Sequence, residues 1–506
     1  MKLNHIYKSI ACGVLLAMTA TSCDLDYNPV DTYSDVTEGV NKTDEKPIFN
    51  SVQDVETSMV TLHKKFRDQQ EHWYVDKLLI GDAHSDNAYA GTTGAEVVPY
   101  ETNSIEGSNS VLKRDWDRFL GDIAVANRII VGCDQLKALS ESERGKYQSQ
   151  AKIFRAMVMF DMVRLWGNFP VITTVGGDIT EDNVEEMYPT YFPPQNTAEE
   201  AYAQIEKDLT EAVENPNTPT NDTSDKSILT KSVARAMLAK VYAEKPLRDY
   251  AKVIKYADEL AADGFDLVED FSDLWAYDTE KKDCRVRNTK EAILEAHFPP
   301  GSGNWCTWMF GRNLSNWDES FTWAKWITPS RDLIRLYEEQ GDTKRYNESV
   351  VWYDCGWSNY YPADHYAFMY KCRSAFNSII YLRYADILLL KAEAKIMGEA
   401  PDLNGAADII DRIRAGLGKL PQSTRSSKEA LLQAYMDERR MELAFEGQRW
   451  YDLCRLNKVE EVMNAVYAKD SGRHAQENLF NENSYLLAIP QGAIDQNENL
   501  IQNPGY

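Results

Sequence analysis

The chain reads as mostly α-helical, a scaffold of helix pairs interrupted by a loop-rich, partly irregular insert. Three observations predict this. Apolar residues recur at helical spacing through residues 111–262 and 379–457, two stretches within those ranges repeat one another, and residues 264–378 between them lose the periodicity and gather tryptophan.

The 506 residues are enough for two or three ordinary domains or one large helical body, and for a sizeable core. A formal net charge of -24 excludes nucleic acid as a partner, because phosphate binding needs clustered Lys and Arg. Anionic membrane surfaces are disfavoured for the same reason. The N-terminus carries Lys2 and Lys8, an apolar run over 10–20, then Thr21, Ser22 and Cys23. That run is too short to span a bilayer, and small residues before a cysteine suit a bacterial lipoprotein signal at 1–22 with Cys23 lipidated. Ala20 stands where that pattern usually has Leu. Acyl chains on Cys23 would anchor the protein, Asp24 and Asp26 resemble the acidic export tag of surface lipoproteins, and the polar residues 23–50 read as a tether.

The domain then runs over 51–506. A helix is predicted from Ser51 through Arg67 on the spacing of Val52, Val55, Met59 and Leu62. Residues 71–107 read as a loop bearing Trp73, Tyr74, Asp86, Asn87, Tyr89 and Glu96; Asp82 and Asp86 lack the ligand alternation of a calcium loop. Two long helical patterns follow, the second stopped by Gly167 and Pro170. Thr197 with Glu200, and Ser426 with Glu429, form capping boxes that start further helices. Small residues recur in 239–243 and 390–394, and Ala251 with Ile254 parallels Ala407 with Ile410. These antiparallel pairs resemble tetratricopeptide units, whose faces are buried by stacking.

The insert has a strand-like run over 291–297 and the stretch WCTWMFGRNLSNWDESFTWAKW, which holds Trp305, Trp308, Trp317, Trp323 and Trp326. Indoles beside Arg312, Asn313, Asn316, Asp318 and Glu319 suit a ligand flat and apolar on one side and polar at its rim, as sugars are. The alternative is an aromatic mini-core beneath a long loop. The candidate glycan contacts are Trp73, Tyr74, Asp86, Asn87, Tyr89, Trp305, Trp308, Arg312, Trp317 and Trp323, provided the early loop and the insert converge.

Four blocks, YQSQAKIFRAMVMFDMVRLWGNFPVI, YLRYADILLLKAEAK, DERRMELAFEGQRWYDLCRL and AIPQGAIDQNENLIQNPGY, stand in this order behind the cysteine. Together they resemble the SusD/RagB family of outer-membrane lipoproteins. The resemblance implies about four tetratricopeptide-like units, a variable face that binds a glycan at the cell surface, and delivery to a SusC-like TonB-dependent transporter for nutrient uptake. It does not carry the ligand, because the matched blocks are scaffold.

Catalysis is weighed against binding on the carboxylates. Glu438, Glu442 and Glu446 fall on one helix face, with Arg439, Arg440 and Arg449 close enough to pair, and read as buried ionic structure. A glycoside hydrolase would need two opposed carboxylates, such as Asp318 with Glu319 or Asp86 with Glu96. A tetratricopeptide-type protein-interaction scaffold is the third reading. No nucleophile elbow, phosphate loop, dinucleotide motif or CxxC pair is present, so no cofactor and no metal are expected. A disulfide among Cys284, Cys306, Cys355 and Cys372 stays open.

Overall fold

The computed structural model describes residues 47–506 apart from 92–93, 178, 180, 182, 279, 282, 299–302, 306–325, 372 and 419. Cys23, Trp308, Arg312, Trp317, Trp323, Cys306, Cys372 and the Asp318–Glu319 pair therefore lie outside the described residues. A small unit falls within 1–46 and 176–188, and all that follows concerns the large one, 47–175 with 189–506.

The first helix, Val52–Asp68, begins where the sequence places it. The Ser51 hydroxyl accepts the Asp54 N–H while the Asp54 carboxylate accepts the Ser51 N–H, so two otherwise unpaired donors are satisfied at once. Thr197 and Glu200 close the same box ahead of Ala198–Glu214. At the third predicted start the cap is one residue later than the sequence suggests. Ser427, not Ser426, caps Lys428–Glu442, and Ser426 instead bonds Thr424 in the turn before it.

Eight helices then stack in chain order, each packed on the next: Ser110–Gln135, Glu141–Trp166, Ala198–Glu214, Lys231–Ala243, Tyr250–Ala262, Tyr384–Met397, Leu403–Ala415 and Lys428–Glu442. They amount to four helix pairs and bury one continuous apolar core, as tetratricopeptide-like repeats must. Small residues allow the close approach: Ala234, Ala236, Ala239, Ala392, Ala406 and Ala407 are all buried. The segment 379–383, which begins one of the repeats seen in the sequence, is a strand rather than helix. Ile379–Arg383 pairs antiparallel with Ala292–Ala296, the strand expected at 291–297.

Tyr250–Ala262 packs directly on Tyr384–Met397, so the intervening residues leave the stack and return. Buried charge ties them down. Glu438 and Glu442 both accept from Arg345, at 2.6 and 2.9 Å, Glu442 also meets Arg383 at 2.5 Å, and Glu446 meets Lys371 at 2.6 Å. The glutamates are buried ionic structure, but their partners come from the insert, its exit strand and, for Glu438, Arg414 on Leu403–Ala415 at 2.6 Å, and not from the neighbouring Arg439, Arg440 and Arg449. Those three reach elsewhere: Arg439 to Asp386 and Asp452, Arg440 to Asp332, Arg449 to Asp86. Replacing such pairs with apolar groups can be neutral, whereas removing one partner strands a charge in the core.

Among the described residues no helix is long and apolar enough to cross a membrane, and no cluster of ligating side chains could hold a metal ion.

Candidate functional site

The first third of the segment read as a loop, 71–83, is helix and mostly buried. Glu71–Val75 and Leu79–Ala83 are wide π-type turns on either side of Asp76–Leu78, and they turn Trp73, Val75, Leu78, Leu79, Ile80 and Ala83 into the core. Each wide turn shifts the phase of the apolar pattern, so a 3.6-residue period is not visible there.

Burial removes four of the candidate glycan contacts. Trp73 is 0 % exposed, packs on Phe66 at 4.5 Å and donates its indole N–H to Asp122 at 3.0 Å. Asp86 is clamped by Arg449 at 2.8 and 2.9 Å. Burial alone would raise its pKa, but Arg440 and Arg449 outweigh that and hold the carboxyl far below the usual range. Both its oxygens are committed to Arg449 inside the core, so this member of the Asp86–Glu96 pair is not open to a glycosidic bond. Asn87 bonds Asp82 and Arg440, and Tyr89 stacks on Tyr360 at 4.5 Å with its hydroxyl donated to Asp470 at 2.8 Å. These residues are structural because each polar atom is committed to a buried partner.

What they build is the convergence itself. Ala88–Tyr89 pairs antiparallel with Thr328–Pro329, the Ser330 N–H donates to the Asn87 carbonyl at 3.0 Å, and the Ser330 hydroxyl donates to the Asp86 carbonyl at 2.7 Å. The early segment thus holds the exit of the tryptophan-rich stretch. Its entry is held by Gln70, whose side chain accepts the Trp305 N–H at 2.8 Å and donates to the Gly303 carbonyl at 3.4 Å.

Three half-buried aromatics stand beside these two anchors in the chain, and we take the surface they mark as the candidate face. Trp305 and Trp326 stand at the ends of the stretch, and Tyr74 sits on the wide turn that follows Gln70. Arg114 and Arg118, one turn apart on Ser110–Gln135, border it: Arg114 lies 5.9 Å from the Trp326 ring centre and bonds Asp76 at 2.6 Å, and Arg118 meets Glu71 at 3.3 Å. Beneath them Asp115 is pushed well above the ordinary carboxylate range, first by burial and then by the Asp76 carboxylate. Chemically the face offers aromatic planes beside fixed donors and acceptors, which suits a ligand with a flat CH surface and a polar rim.

Of the sequence-derived contacts, Tyr74 and Trp305 stand on this face. Gln70, Arg114 and Arg118 were not singled out, although the i, i+4 spacing of the two arginines marks a common helix face. A second aromatic patch also went unnamed. On the hairpin of Val350–Tyr353 with Tyr366–Met369, Trp352 and the exposed His365 stack at 4.2 Å with planes 4° apart. Its signal was the aromatic-rich VVWY and YAFM runs flanking a turn.

Comparison with known proteins matches a family described as "SusD family" over residues 365–506 and one described as "Starch-binding associating with outer membrane" over 33–243. The chain is 24% identical over 445 residues to SusD-like protein P38 of Formosa agariphila, covering 80% of this chain and 83% of that protein. Its fold matches a structure titled laminarin binding SusD-like protein with a TM-score of 0.70 and 20% identity, over 90% of this chain and 100% of the other. It also matches surface glycan-binding protein A of Bacteroides thetaiotaomicron in complex with laminarihexaose, with a TM-score of 0.68 and 17% identity, over 89% and 99% of the two chains. The family matches at both ends of the chain, the full-length relative and the shared helical stack agree with the four sequence blocks: the chain belongs to the SusD/RagB family.

Proposed function

We propose that this protein is a cell-surface lipoprotein of the outer membrane, anchored through Cys23, that binds a glycan and passes it to a SusC-like TonB-dependent transporter. The glycan rests on the face framed by Tyr74, Trp305 and Trp326, with Trp308, Arg312, Trp317 and Trp323 as the further contacts read from the sequence. The observation that carries this reading is the double anchoring of that stretch, at Gln70 and at Ala88–Tyr89, against an early segment more than 200 residues away in sequence. A long excursion from a helical stack fixed at both ends is how a scaffold presents a binding segment. Two fold neighbours, one described as laminarin binding and one in complex with laminarihexaose, favour a polysaccharide as the class of ligand.

The protein acts by binding rather than cleavage. Native affinity electrophoresis through gels containing laminarin, starch and a wider glycan panel tests this, with reducing ends assayed in parallel. The expected result is retardation by at least one glycan with no reducing ends released. Mobility unchanged across the panel would remove the glycan reading in favour of a protein-interaction scaffold, and reducing ends formed in proportion to protein would make it a hydrolase.

A further inference from the structure

Beside the first helix lies an open cleft of about 810 Å³, within the roughly 300–1,000 Å³ of small-ligand sites. One whole face of Val52–Asp68 forms a wall, with Glu56, Val60 and Lys64 in one row and Met59, His63 and Arg67 in the next. The opposite wall comes from Leu294, Glu295 and His297 with Arg287 and Asp283, and Tyr147 and Tyr381 complete the lining. Val60 is 53 % exposed here, an apolar residue in the middle of a helix face that no other element covers among the described residues.

The charges in the cleft are unevenly matched. Asp283 is taken by Arg287 and Glu295 by His297 at 2.8 Å, while Arg67 meets Asp68 at 2.8 Å. Glu56 accepts a long bond from the Tyr147 hydroxyl at 3.5 Å. Lys64 and Lys146 are exposed at the rim and have no carboxylate within ion-pair distance among the described residues. The lining sets four cations, Lys64, Arg67, Lys146 and Arg287, against three carboxylates, Glu56, Asp283 and Glu295, and in a chain of net charge -24 that small excess leaves two lysines beside apolar surface for an anion to meet. The cleft lies near the Gln70 anchor in the chain: Arg67 in its wall precedes Gln70, which holds Trp305, by three residues.

We propose that this cleft is an extension subsite for a glycan bearing acidic groups, uronate or sulfate ester, whose chain runs on from the Trp305 face so that its anionic substituents meet Lys64 and Lys146. The apolar wall at Met59 and Val60 takes the CH side of the ring. The proposal rests on the glycan reading of the Trp305 face and adds the chemical class of substituent.

The test is titration calorimetry on the full chain in detergent at low salt. The probes are oligogalacturonates, their methyl esters, a sulfated galactan oligosaccharide, polyglutamate, and a neutral glycan that retards the chain in the electrophoresis. Each is measured with the wild type and with the double variant Lys64→Gln, Lys146→Gln. The expected result is binding of a carboxylated or a sulfated oligosaccharide that weakens at least tenfold in the double variant. The neutral glycan keeps its affinity, and both proteins melt at the same temperature. If the uronate binds, its ester should lose a similar factor; if only the sulfated sugar binds, sulfate is the substituent. Acidic-sugar binding that ignores both lysines overturns the proposal, as does polyglutamate binding as tightly as the sugars. Neutral glycan bound with no acidic one bound overturns the cleft alone, and no glycan bound at all overturns the cleft and the face together.

Discussion

At the scale of single residues, Arg449 shows how this fold separates structure from binding. Its guanidinium grips both oxygens of Asp86, and that grip fixes the Asp86 backbone carbonyl, to which Ser330 and Arg440 both donate. Arg449→Ala leaves the buried Asp86 carboxylate to Arg440 alone, at 3.2 Å, and costs up to about 3–5 kcal/mol. Chemical denaturation should register that loss, and glycan affinity per folded molecule should stay the same. A variant of unchanged stability that no longer binds would place Arg449 in the site. Sequence reasoning read the glutamates of this block as ionic structure but assigned them the wrong arginines. Helical spacing reveals neighbours along one helix, whereas Arg345 and Arg383 arrive from other segments. The same limit hid Trp73: an indole beside a tyrosine looks like a platform until Asp122, on another helix, is seen to take its N–H.

At the scale of elements, helices with local signals were legible. The capping boxes at Ser51 and Thr197 and the apolar stripes fix starts and faces without any help from the rest of the chain. The wide turns at 71–83 were not, because their phase is set by the core they enter. Nor was the tight turn after Glu442, where Gly447 adopts φ +69 and a Cβ on Gly81 would lie 2.3 Å from the Gly447 carbonyl carbon. The helix Lys428–Glu442 carries the pH dependence. Burial alone would raise the pKa of Glu442, but Arg383, Arg345 and Lys371 outweigh it and bring the carboxyl from 4.5 down to about 2. Below its unfolded value the unfolded chain takes up the proton first, so the stability this group contributes is complete above pH 4.5 and is lost as pH falls toward 2. Melting curves of the wild type and Glu442→Gln should therefore lie well apart at neutral pH and converge as the pH drops through that window. A gap that stays constant would show that Glu442 does not titrate there.

At the scale of the whole molecule, the helical stack was readable and the binding face only in part. The stack is written in local periodicity and in four blocks that can be recognised one by one. The face is made where chain segments more than 200 residues apart are bonded together, as Gln70 is to Trp305, and no pattern within either segment announces the other. What the tryptophan density did give was the stretch itself, and the convergence with the early segment follows from its two anchors. The measurement that tests this account most directly is the affinity of Tyr74→Ala and Trp305→Ala for whichever glycan retards the wild type most strongly. Both should bind about tenfold more weakly or worse, the size expected when an aromatic anchor is truncated, with melting temperatures unchanged. Wild-type affinity in both would contradict the claim that the glycan rests on this face.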